Sequence, residues 1–147
     1  MKLRILYQIL VGLFIGLTSA MAQNVIHLEQ PDELARFPGC EKAKWAVEKR
    51  LDCATKAMLK FVYKHLKYPK EARRKGLEGF VVVRFLVDEK GFLSNIQAVR
   101  DLGLGTGEEV ERIFGLMNEM EERWIPAKLR GKPIVSEFNA PIAFKLD

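Results

Sequence analysis

The chain has 147 residues, of which 48% are hydrophobic and 29% charged, with a formal net charge of +5. That suits one globular domain of ordinary composition and leaves little room for a second core. A charge this small is no argument for a nucleic-acid partner.

Residues 1–22 read as an export signal. Lys2 and Arg4 make a positive start, Ile5 to Leu17 is an almost unbroken apolar run, and Ala20-Met21-Ala22 offers the small-x-small site of a signal peptidase. Cleavage there makes Gln23 the mature N-terminus and places the protein in the periplasm. It also lowers the charge from +5 to about +3, since Lys2 and Arg4 are lost and no acidic residue goes with them. The alternative is an uncleaved inner-membrane anchor over residues 5–21, facing the periplasm. Its apolar run falls short of the ~20 residues that cross a bilayer core, and it leaves the cleavage site unexplained.

The lead-in at 24–39, NVIHLEQPDELARFPG, has no period and ends in the turn Phe37-Pro38-Gly39. Cys40 and Cys53 follow. In an oxidising compartment an even pair at short separation reads as a disulfide, and closing a loop of about 14 residues contributes on the order of 3 kcal/mol by restricting the unfolded chain. Zinc needs more ligands than this pair, with only His27 and His65 elsewhere, and a redox pair would be spaced Cys-x-x-Cys.

From about Glu41 to Leu66 the pattern is helical, with Ala54, Met58, Leu59, Phe61, Val62 and Leu66 near one stripe. Tyr68-Pro69 interrupts it, because a residue before proline is pushed out of the helical region. A short helix, Lys70 to Lys75, is closed by Gly76. The basic stretch Lys67 to Lys75 reads as a solvated face rather than a phosphate or lipid site.

The period then changes to two. Val81, Val83, Phe85 and Val87 share one face of a strand, and Phe80, Val82, Arg84, Leu86 and Asp88 the other, before the turn Asp88-Glu89-Lys90-Gly91. The return strand, Phe92 to Asp101, loses phase at Leu93, Ile96 and Val99, as a bulge would make it do. LGLGTG at 102–107 fails as a dinucleotide-binding loop because position 108 is Glu. Thr106 and Glu109 instead predict a capping box, opening a helix to about Arg123 whose stripe is Val110, Ile113, Phe114 and Met117. Glu108, Glu109, Glu111, Glu119, Glu121 and Glu122 are expected on its solvated face rather than in catalysis, and with no nucleophile elbow, metal cluster or phosphate loop the sequence calls for neither an enzyme nor a cofactor.

Trp124-Ile125-Pro126 ends that helix, and LRGKP at 129–133 is expected to turn into a last strand. Proline cannot donate to a ladder, so Pro141 makes this an edge strand, with backbone groups open to a partner.

YPKEARRKGLEGFVVVRF (68–85), DEKG (88–91), WIPAKLRGKP (124–133) and APIAFKL (140–146), in that order, resemble the TonB C-terminal domain family over roughly residues 55–147. FPGCE at 37–41, followed by Cys53 and a helix, looks like the extension of TonB-like proteins of Bacteroidetes. The resemblance implies an α+β fold, a three-stranded antiparallel sheet packed against helices, over 55–147, preceded by an extension with the Cys pair at 23–54. It implies capture of the TonB box of a TonB-dependent outer-membrane transporter by strand addition along the last strand, through Val135, Ser136, Glu137, Phe138, Asn139, Ala140, Ala143 and Lys145. It also carries His65, Lys67 and Tyr68 to the side of the captured peptide; Tyr68 and Trp124 are equally candidates for core packing.

Two departures follow. Transducers of the family have an anchor histidine, which couples them to inner-membrane proton-driven partners, and a long proline-rich spacer. Residues 1–22 hold no histidine, and the stretch before the first predicted helix is short and not proline-rich, so such coupling is not expected. The two readings left are a TonB-box-binding module of TonB-dependent transport and a soluble periplasmic adaptor or homodimerising module without energy transduction.

Overall fold

The computed structural model describes residues 30–42 and 44–146. The expected signal peptide and the start of the extension lie outside them. Among the described residues no helix is long and apolar enough to cross a membrane.

The period-two segment forms β1 (Gly79–Val87), with Val81, Val83, Phe85 and Val87 all fully buried. It is the middle strand of a three-stranded antiparallel sheet, between β2 (Leu93–Arg100) and β5 (Ser136–Phe144). The turn between β1 and β2 needs a glycine. Gly91 has φ +83, and a Cβ there would meet the Trp124 carbonyl oxygen at 2.1 Å. β2 slips register against β1 between Val82 and Val83 and again between Arg84 and Leu86, so the predicted bulge is present, twice.

α1 (Val47–His65) and α3 (Thr106–Leu116) contribute the buried stripes, and α2 (Lys70–Arg74) is a single short turn between α1 and the sheet. Ala54, Met58 and Val62 of α1 join Val110, Ile113 and Phe114 of α3, with Met117 just beyond it, in one core with the sheet. Trp124 is 2% exposed and meets Phe85, Phe37 and Phe138 edge-on, which makes it a core residue.

Four local expectations are corrected. α1 begins at Val47 rather than near Glu41, because Cys40 and Cys53 are disulfide-bonded with their Cα atoms 6.0 Å apart. Had the helix run through both, its rise would have separated them by about 20 Å. Thr106 is the first helical residue, not the cap. Gly105, at φ +88, takes the N-cap position, while the Thr106 hydroxyl donates to Asp101 Oδ1 at 2.6 Å. α3 stops at Leu116, is continued only by a 3-10 turn at Met117–Glu119, and does not reach Arg123. LRGKP does not lead directly into the last strand. It closes a separate small hairpin of β3 (Ala127–Leu129) and β4 (Lys132–Ile134).

The lead-in is fastened to the rest of the chain by single bridges, Glu33 to Lys128 and Arg36 to Ile125. Arg36 is 7% exposed and paired with Glu41 at 2.5 Å and Glu33 at 3.4 Å. The hydrogen bond that Arg36 donates to Glu41 raises the guanidinium pKa against the opposing effect of burial.

Candidate functional site

A three-stranded sheet has two edges, and this one treats them differently. The β2 edge is closed by side chains from the α3 region. Asn118 accepts from Leu93 N–H at 2.7 Å and donates to the Leu93 carbonyl at 2.9 Å, and Glu111 accepts from Ala98 N–H at 2.7 Å. With its register slips and those caps, β2 offers no continuous ladder to a new strand.

The β5 edge is regular. Nine consecutive residue pairs join it to β1, from Ser136 opposite Val87 to Phe144 opposite Gly79, without a slip. Pro141 has no N–H, so its pair with Val82 cannot be a hydrogen-bonded one, and its main-chain groups face away from β1. Ala143, two residues on, confirms the alternation, since its N–H donates to Tyr63 Oη at 3.2 Å. Glu137 and Asn139 share this alternation, so both direct an N–H and a carbonyl outward. Among the described residues no backbone pairs with them.

The side chains alternate in step. Ala140, Ile142 and Phe144 are buried and Phe138 half-buried against Phe85, with rings 5.6 Å apart, while Glu137 and Asn139 are exposed. Val135 precedes the strand and is 48% exposed, Ser136 is half-buried with its Oγ unpartnered among the described residues, and Lys145 is exposed just past the strand end. Ala143 and Lys145 line a shallow depression with Tyr63 and Leu66.

Of the stretch at 65–68, His65 holds its Nδ1 2.8 Å from the Phe61 carbonyl and its ring 4.2 Å from the Phe61 ring. The His65 carbonyl accepts from Arg112 at 2.9 Å and Lys67 N–H donates to Glu109 at 2.7 Å, so this backbone is tied to α3. Tyr68 donates to the Leu77 carbonyl and meets Phe144 edge-on at 5.3 Å. Burial, helped by Glu78 and opposed by Arg73, holds its phenol above the ordinary value. The residues that reach the β5 edge from this side are Tyr63 and Leu66, which sequence reasoning missed. Tyr63 lies off the apolar stripe that marks α1, and nothing local signals its reach.

Also missed was a cleft of about 170 Å³ beside the middle of that edge. Its walls come from the lead-in at Phe37, from α1 at Leu51, Thr55 and Met58, and from Phe138 and Pro141 of β5, with Trp124 among its lining residues. Among the described residues there is no group of three or more His, Cys, Asp or Glu placed to hold a metal ion. The chemistry this region offers is main-chain hydrogen bonding next to an apolar recess.

Residues 64–146 match the family described as Gram-negative bacterial TonB protein, C-terminal. Among solved structures, the NMR solution structure of Helicobacter pylori TonB-CTD is similar at 20% identity, covering 61% of this chain and 78% of that chain with a TM-score of 0.46. None of the curated proteins matches.

Proposed function

Because the chain belongs to the TonB C-terminal family, a transport-related family of the cell envelope whose members interact with outer-membrane transporters, we propose that its β5 edge captures a TonB-box-like strand of such a transporter. The observation that carries this reading is the contrast of edges: β2 is capped and irregular, while β5 is regular and turns unpaired donors and acceptors outward at Glu137 and Asn139. Added main-chain bonds supply the affinity and neighbouring side chains the selectivity. In this reading Val135 to Ala140 meet the peptide, Ala143 and Lys145 meet it where Tyr63 releases the Ala143 N–H, and His65, Lys67 and Tyr68 shape that end.

The test uses the alternation. Proline at 137 removes only an outward N–H, as Pro141 already does, so Glu137→Pro leaves the β1 ladder whole. We expect the variant to keep its circular dichroism and melting behaviour while binding of a synthetic TonB-box peptide weakens on the order of tenfold to a hundredfold, the loss of a hydrogen bond plus a steric block. Unchanged binding in a folded variant would remove capture at this edge.

The mature protein is proposed to start at Gln23 and to act in the periplasm, with the extension at 23–54 preceding the binding domain at 55–147. N-terminal sequencing and membrane partition in the native host test this: retention of Met1 in the inner membrane would replace the cleaved module with an anchored one. The second reading, a soluble adaptor or homodimer without energy transduction, is favoured by the same open edge, which a second copy could pair.

A further inference from the structure

The cleft beside β5 is built mostly by residues outside the family-matching part of the chain, in the lead-in and in α1. Both elements are fixed in front of the edge. The Cys40–Cys53 disulfide joins the end of the lead-in to α1, and the bridges at Glu33 and Arg36 join the lead-in to the segment around β3. An apolar recess held in place on three sides is a feature of the binding surface, not a gap left by a loose terminus.

Its position relative to the strand can be stated in register. Side chains of paired strands that lie opposite one another point to the same face of the sheet. A residue of a captured strand opposite Ala140 therefore points to the helix side, where Ala140 is 1% exposed and, with Phe138, lines the cleft. At about 170 Å³ it is close in size to an apolar cavity of ~150 Å³ that holds a benzene ring. Trp124 also lines the cleft and is 2% exposed, and its indole N–H has no hydrogen-bond partner among the described residues.

We propose that the cleft is a specificity pocket which takes one aromatic or branched aliphatic side chain of the captured strand, from the residue opposite Ala140. This rests on edge capture being correct. The occupant is an extended peptide because the recess adjoins outward main-chain groups that only another backbone satisfies, and it is apolar at this one position because Phe37, Leu51, Met58 and Phe138 dominate the lining, while Arg36, the charged residue of that lining, is already paired with Glu41 and Glu33. The disulfide-stapled extension thus selects among transporters that the edge alone would treat alike.

The test titrates the oxidised protein with fluorescein-labelled ten-residue peptides of alternating Thr and Ser that differ at one central position, carrying Ala, Leu, Phe or Glu. Burying a Leu or Phe side chain should tighten binding on the order of tenfold or more over Ala, and Glu should bind no better than Ala. Thr55→Trp, at an exposed position on the rim, should fill the recess and abolish the preference while the Ala peptide still binds. Equal affinity for all four peptides, lost in Glu137→Pro, would leave edge capture standing and overturn the pocket. Binding that survives Glu137→Pro with its preference intact would overturn edge capture and, with it, the pocket as placed here. Self-association that excludes the peptides and is abolished by Glu137→Pro would put a second copy on the edge and overturn the proposal as well.

Discussion

The two edges of the sheet solve one physical problem in opposite ways. Each must deal with a row of backbone groups that central β1 does not use. At β2 the chain answers with its own atoms, two register slips and the carboxamide and carboxylate of Asn118 and Glu111. At β5 it keeps nine pairs in perfect register, sets a proline where no donor is needed, and leaves the row open except where Tyr63 touches Ala143. A protein that only needed to avoid aggregation would have closed both. The difference is what the proposed capture at β5 rests on.

The largest effect should come from the staple that holds the surroundings of β5. Replacing both cysteines with serine removes the closure of a loop of about 14 residues, with an expected loss on the order of 3 kcal/mol in denaturant unfolding. Hydrogen exchange should then speed up at the lead-in amides of Glu33 and Arg36, which bond across to Lys128 and Ile125, while Leu93 and Ala98 on the other edge keep their protection. Equal loosening at both edges would mean that the extension supports the whole domain and that the two sides are not separable.

Next in size is the reverse experiment, opening the closed edge. Asn118→Ala strips Leu93 of both a donor and an acceptor partner at a residue only 5% exposed, which should cost about 2 kcal/mol. Sedimentation velocity should show more self-association in this variant than in the parent, because a second edge has become available. If the variant stays monomeric and stable, the bulges alone protect β2, and the side-chain caps are incidental.

How much of this contrast the sequence disclosed depends on the range of the interaction. The alternation of Val81, Val83, Phe85 and Val87 and the edge position of Pro141 are local, carried by period and by a missing N–H, and both stand in the structure. The loss of phase at Leu93, Ile96 and Val99 likewise announced the bulges of β2. Long-range partners were not legible. Glu109 and Glu111, expected on a solvated face, instead bond to Lys67 and Ala98, and Thr106 turns its hydroxyl to Asp101 rather than capping the helix. The cleft was invisible for the same reason: its walls lie a hundred residues apart in sequence, and only the folded register brings Phe37 and Met58 to Pro141.

The smallest effect should be a pH dependence at the start of α3, away from the middle of β5. Asp101, which follows β2 directly, is subject to burial that raises its pKa, but the Thr106 hydroxyl and backbone N–H groups of residues 102, 103 and 107 outweigh it and hold the carboxyl below 3.8. Glu109 is likewise raised by burial and lowered by more through Arg112 and Lys67, to below 4.5. For a carboxylate whose folded pKa lies under its unfolded value, the stabilisation is fully present above the unfolded value and is lost as pH falls through the folded one. Acid should therefore loosen the start of α3, with faster exchange at the amides of Gly103 and Lys67, which these two carboxylates accept from. Asp101→Asn should flatten the part of that dependence seen at Gly103 and leave the part at Lys67. If instead the amides beside β5 open first on acidification, the charge-dependent fastening belongs to the open edge, and the division of labour between the two edges would have to be redrawn.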